Sequence, residues 1–69
     1  MTKYKKLGEK VKKLRKARDW TQEKLAEAAN VDPKTIIELE AGKRANPTLQ
    51  TLNKLARALK TSLEELLST

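Results

Sequence analysis

"TQEKLAEAANVDPKTIIELEAG", residues 21–42, decides how this chain folds. Thr21 is a good N-cap, because its hydroxyl can accept one of the backbone N–H groups that a helix start leaves unpaired. Trp20 before it and Leu25 after it occupy the two positions of a hydrophobic staple. The helix so opened runs to about Ala29. Asn30 follows, one of the few residue types besides glycine that tolerates a left-handed backbone. Asp32 caps a second helix whose first position is Pro33, where a missing N–H costs nothing. Gly42 is suited to close it.

Two helices joined by so short a turn form a helix-turn-helix. The small and apolar residues agree with that geometry. Leu25 and Ala29 give the first helix its buried face, and Ala26 is small where the second helix must cross. Val31 plugs the corner, while Ile36 and Leu39 anchor the second helix against the first. Outward from this unit, Tyr4, Leu7, Val11 and Leu14 recur at helical spacing and predict an N-terminal helix with lysines on its other faces. "KRANP" is a polar loop of turn-forming residues. Leu49, Leu52, Leu55, Ala56 and Leu59 mark a fourth helix. Ser62 and Glu65 fit a capping box that opens a short fifth helix through Leu63, Leu66 and Leu67. No stretch alternates as a strand would, and no linker or repeat interrupts the chain. The expectation is one all-α domain over residues 1–69, with five helices and the helix-turn-helix unit at about 21–41.

The composition narrows function. The 69 residues contain no Cys and no His. Thiolate and imidazole chemistry are therefore absent, and no metal or cofactor is expected. There is no Gly-rich phosphate loop either, and Glu64 and Glu65 would splay apart on a helix, so an enzyme is not expected. No apolar run reaches membrane-spanning length and no signal-peptide pattern is present, which suggests a cytoplasmic protein. The formal net charge is +7, and it is unevenly placed. Nine Lys or Arg against Glu9 alone fall in residues 1–18, whereas the remainder is close to neutral. A basic segment on a neutral body suits attraction to a polyanion, although a solvated lysine face kept for solubility has the same composition.

From "LGEKVKKLRKARDWTQEKLAEAANV" through "IELEAGKRANPTLQTLNKLARAL", the sequence resembles the phage repressor and Cro family of helix-turn-helix domains. The Arg in helix one, "TQ" opening helix two, "E-x-G-K" closing helix three and "NP-T-L" opening helix four carry the resemblance. It implies a lambda-repressor-like fold and sequence-specific binding to double-stranded DNA, with the helix at about 33–41 in the major groove. Carried onto this chain, the resemblance makes Pro33, Lys34 and Glu38 candidates for base contact, with Ile37 beside them at the margin of the groove. Gln22 matches a position that holds a phosphate and braces the recognition helix. Lys43, Arg44 and Asn46 fall in the loop that follows the DNA backbone. The resemblance also pairs Glu40 with Arg15 as a structural salt bridge.

The reading face departs from the family pattern. Pro33 stands where a polar side chain is usual and can offer only apolar contact to a thymine methyl, or simply start the helix. Glu38 can accept from cytosine N4 yet is repelled by the DNA field. Lys34 can donate to guanine or to phosphate. Ile37 can touch a methyl, pack against a dimer or DNA edge, or be an ordinary exposed apolar residue. Two functional expectations follow. The first is a transcriptional regulator, a homodimer on DNA with Leu63, Leu66 and Leu67 as candidate dimer contacts, or else as closure of the monomer core. The second is a protein-interaction module, such as an antitoxin or a regulator's partner, with weak or secondary DNA binding.

Overall fold

Hydroxyl and carboxylate side chains start four of the helices, by accepting N–H groups that helical geometry leaves without a carbonyl. In the computed structural model, which describes residues 3–43 and 47–68 and side chains from Lys6 onward, the chain forms α1 (Lys3–Ala17), α2 (Gln22–Ala29), α3 (Pro33–Glu40), α4 (Leu49–Ala58) and α5 (Leu63–Leu67). Thr21 Oγ1 accepts from the Lys24 N–H at 3.0 Å and Asp32 Oδ1 from the Lys34 N–H at 2.9 Å. Thr48 Oγ1 accepts from Thr51 at 3.1 Å and Ser62 Oγ from Glu65 at 2.9 Å. The side chain of Tyr4 and the loop residues Arg44 and Asn46 lie outside the described residues.

Helices α1 to α4 end in a common way that the sequence reading anticipated only in part. At Gly42 the backbone turns left-handed, with φ 72°. The Gly42 N–H donates to the Leu39 carbonyl and the Lys43 N–H to the Glu38 carbonyl, a Schellman closure of α3. Asn30, at φ 59°, closes α2 in the same manner. Asp19 and Lys60, at φ 58° and 54°, close α1 and α4. Neither turn was anticipated: lysine does not favour that conformation, although aspartate, like asparagine, tolerates it. The same pair of backbone hydrogen bonds closes each helix, with Asp19 and Trp20 donating to the Lys16 and Arg15 carbonyls and Lys60 and Thr61 to those of Arg57 and Ala56.

The capping box expected at Ser62 is made in one direction. The carboxylate of Glu65, which could have turned back to the Ser62 N–H, accepts instead from Lys10 Nζ on α1 at 3.1 Å. A charged donor on a neighbouring helix competes successfully for it.

The core lies between all five helices. Leu7 and Val11 of α1, Leu25, Ala26 and Ala29 of α2, and Ile36 and Leu39 of α3 are buried. They meet Leu52, Leu55, Ala56 and Leu59 from the α4 segment and Leu66 from α5. Trp20, Leu14, Val31 and Leu63 pack around the margin. Helix α3 is held from two sides, by α1 and by α2, while α4 rests on α2 and α5 bridges α1 to α4. Leu66 is completely buried, so it closes the core and cannot serve as the dimer contact considered for it.

Gly8 explains how α1 can lie so close to α3, and the sequence reading passed over it. Glycine inside a helix is unfavourable, so its presence signals a close backbone approach. A Cβ at position 8 would overlap the Leu39 carbonyl oxygen and lie 2.9 Å from the Leu39 carbonyl carbon and 3.3 Å from Glu40 Cα. The obstruction is backbone, which cannot move aside as a flexible side chain could. Gly8→Ala is therefore expected to push α1 off α3 and to destabilise the fold by about 2 kcal/mol or more, read as a lower urea midpoint. Lys60→Gly works in the opposite direction. It relieves a left-handed non-glycine residue and should stabilise by about 1 kcal/mol, raising Tm by roughly 4–8 °C in a domain of this size.

Candidate nucleic-acid interface

The site is built from Arg15 outward. Its side chain is almost buried, and the fixed fork of the guanidinium meets the Glu40 carboxylate with two parallel hydrogen bonds. Nε donates to Oε2 at 2.7 Å and Nη2 to Oε1 at 2.9 Å. The remaining Nη1 donates to the Trp20 carbonyl at 2.6 Å. The Arg15 carbonyl in turn accepts the Trp20 N–H at 3.2 Å, so one residue holds both peptide groups of Trp20. Arg15 thus ties the end of α1 to the α1–α2 turn and to the last residue of α3.

Two neighbours complete this junction. Gln22, the first residue of α2, donates from Nε2 to Glu40 Oε1 at 3.1 Å. Only the amide nitrogen can face a carboxylate acceptor, which fixes the orientation of the Gln22 side chain. The Arg18 guanidinium stacks 5.0 Å from the Trp20 ring centroid and covers the turn from outside. Among the described residues, every buried side-chain N or O atom has a hydrogen-bond partner. The carboxylate raises the pKa of Arg15, chiefly through its hydrogen bonds, against a lowering by burial. On the arginine side, a raised pKa means that this stabilisation is present at neutral pH and is lost as pH climbs through the arginine range.

With α3 fixed in this way, one of its faces is left outward. Ile36 and Leu39 are fully buried, whereas Pro33 and Lys34 are exposed and Ile37 is 49% exposed. Glu38 is half-buried beside them, and the exposed Ala41 completes the face. Lys34, Ile37, Glu38 and Ala41 follow the three- and four-residue steps of a single helix face. Ala41 was not singled out from the sequence; its small side chain leaves the end of that face low. At the open end of α2, the N–H groups of Gln22 and Glu23 have no helical carbonyl within reach. Lys43 is exposed just past the end of α3.

The lysine stripe of α1 is elsewhere. Lys6, Lys10 and Lys13 lie about 160° around the helix from Gly8 and Arg15, the residues that seat α1 on α3. They border a shallow depression with Glu9 and Ser68, and Lys10 is engaged with Glu65. Among the described residues, no group of three or more metal-ligating side chains is close enough to hold an ion. No helix there is long and apolar enough to cross a membrane.

A short turn between α2 and α3, with α3 exposed along one face, defines a helix-turn-helix protein. The helix-turn-helix family model matches residues 11–66, and the chain belongs to that family. It is similar to an uncharacterized HTH-type transcriptional regulator, RghRB, of Bacillus subtilis (strain 168), with 38% identity over 61 residues. That match takes in 88% of this chain but 44% of the relative, so the chain spans less than half of that protein's length. Among solved structures it is similar to the restriction-modification controller protein C.AhdI from Aeromonas hydrophila. The TM-score is 0.85 at 35% identity, covering 91% of this chain and 94% of that one.

The junction can be tested by its non-additivity. Arg15→Met or Glu40→Leu alone leaves a buried charge without its partner and should cost about 3–5 kcal/mol. The double substitution restores an uncharged contact and should cost clearly less than the two singles combined, measured by urea unfolding. Additive losses would show that the two side chains do not act as a pair.

Proposed function

We propose that this chain is a sequence-specific double-stranded DNA-binding transcriptional regulator that lays α3 in the major groove. The observation that carries the reading is the outward face of α3, held at both ends by contacts that leave its side chains free. Asp32 caps the start of the helix, and Arg15 and Gln22 grip Glu40 at its end. A recognition helix must be rigid, because a base contact displaced by an ångström is lost.

The chemistry of the face suits the groove. Lys34 can donate to guanine O6 or N7, and Glu38 can accept from cytosine N4. Pro33 and Ile37 offer apolar contact. Gln22 Nε2 has a second N–H, so it can serve a phosphate while still bracing Glu40. With the N–H groups opening α2 and the cations Lys43 and Arg44, joined by Asn46, it would fix the register on the backbone. The lysines of α1 act at longer range, raising local attraction to the polyanion. The names of the relatives, a transcriptional regulator and a controller protein, agree with this role.

A pair of copies on two half-sites about one helical turn apart is part of the proposal, since one domain contacts few base pairs. Leu67 is 51% exposed and Leu63 half-buried, so α5 retains apolar surface for such a contact without Leu66. The activity is binding, not catalysis, and its setting is the cytoplasm. The second reading is a protein-interaction module, and it draws on the same face. Pro33, Ile37 and Glu38 contribute no hydrogen-bond donor, which suits a protein partner better than a phosphate-lined groove.

Selection of bound duplexes from a random pool separates the two. The proposal expects a shared sequence to emerge, with log affinity falling against log salt by about 0.9 per phosphate neutralised. Lys34→Ala should relax the preference at one base pair by about 1–3 kcal/mol. Recovery of no sequence preference, together with salt-resistant capture of one protein, would establish the interaction module instead.

A further inference from the structure

Ile37 is the least explained side chain of α3. The core is closed without it, since Ile36 and Leu39 on the same helix are fully buried and Ile37 is 49% exposed. It stands three residues after Lys34 and four before Ala41 on the outward face, with Glu38 about 100° around the helix from it. A β-branched residue in a helix has one strongly preferred rotamer, so its methyl groups project as a stiff apolar knob. On its own helix Pro33 and Ala41 stand one turn to either side of that knob, and Lys34 borders it. Three residues of one helix make an apolar strip that is small for the core of a protein interface.

The major groove contains one apolar recognition feature, the C5-methyl group of thymine. We infer that Ile37 reads a pyrimidine C5-methyl, making this chain a sensor of that methyl group within its DNA site. The inference rests on the DNA-binding reading above and specifies what the centre of the face recognises. Lys34 and Glu38 supply a donor and an acceptor beside it, and Ile37 supplies discrimination that neither can make. Uracil differs from thymine only by this methyl, and 5-methylcytosine differs from cytosine only by it. The group recognised is therefore the methyl itself, whichever pyrimidine bears it.

The test uses the duplex recovered by selection and replaces each thymine in turn with deoxyuridine. One thymine per half-site should show about a fourfold weaker Kd on replacement, the worth of roughly one buried methyl group. Ile37→Ala should bind the thymine duplex more weakly and should no longer distinguish thymine from uracil at that position. Because Ile37 is outside the core, the variant should keep the wild-type thermal unfolding curve. Cytosine placed at the same position should weaken binding, and 5-methylcytosine there should recover part of the loss. Indifference of the wild type to every deoxyuridine substitution would overturn the inference while leaving DNA binding intact. A uracil effect that persists unchanged in Ile37→Ala would overturn it too. Failure to select any duplex would instead remove the DNA-binding reading, and this inference with it.

Discussion

The bidentate contact between Arg15 and Glu40 is the interaction on which the remaining arrangement depends. A guanidinium and a carboxylate, each nearly dry, sit where α1, the α1–α2 turn and the end of α3 converge. Taking both charges from water is costly, and the pair adds little net stability over an apolar replacement. Its value is directional. The planar fork accepts only a narrow range of orientations, so it fixes how α3 lies against α1. An apolar contact would tolerate sliding by part of a turn.

Gly8 and Gln22 make that orientation possible from opposite sides. Gly8 lets the backbone of α1 approach Leu39 and Glu40 until the arginine fork can reach its carboxylate. Gln22 takes up further acceptor capacity of Glu40 and brings the start of α2 to the end of α3. The helix that presents the outward face is thus positioned by polar contacts at its ends and apolar contacts at Ile36 and Leu39. Its exposed side chains carry none of that load, which leaves Lys34, Ile37 and Glu38 available for recognition. In the proposed reading, stability and recognition are divided between two faces of an eight-residue helix.

Charge follows the same division. Acidic residues at the centre of a basic chain look out of place until their roles are separated. Glu40 is consumed by Arg15 and Gln22, and Asp32 is spent on the N–H of Lys34. Glu38 alone among the three is left on the outward face, where it can accept from a base. Lys6, Lys10 and Lys13 of α1 turn away from α3, which suits attraction at a distance better than contact.

The amino-acid sequence by itself determined the elements. The caps at Thr21, Asp32 and Ser62, the proline opening α3, the turn at Asn30 and the glycine closing α3 are local signals, because backbone hydrogen bonding and φ preference act within a few residues. The helical spacing of Leu25, Ala29, Ile36 and Leu39 was legible for the same reason. Only the tertiary structure decided which partner each polar side chain takes and which apolar residues stay outside. Glu65 turned to Lys10, Leu66 went into the core while Leu67 stayed out, and Asp19 and Lys60 accepted left-handed turns. Gly8 drew its meaning from the backbone of Leu39 and Glu40, far from it in sequence. These choices depend on distances between helices, which burial and shape fit set together, and no local pattern encodes them.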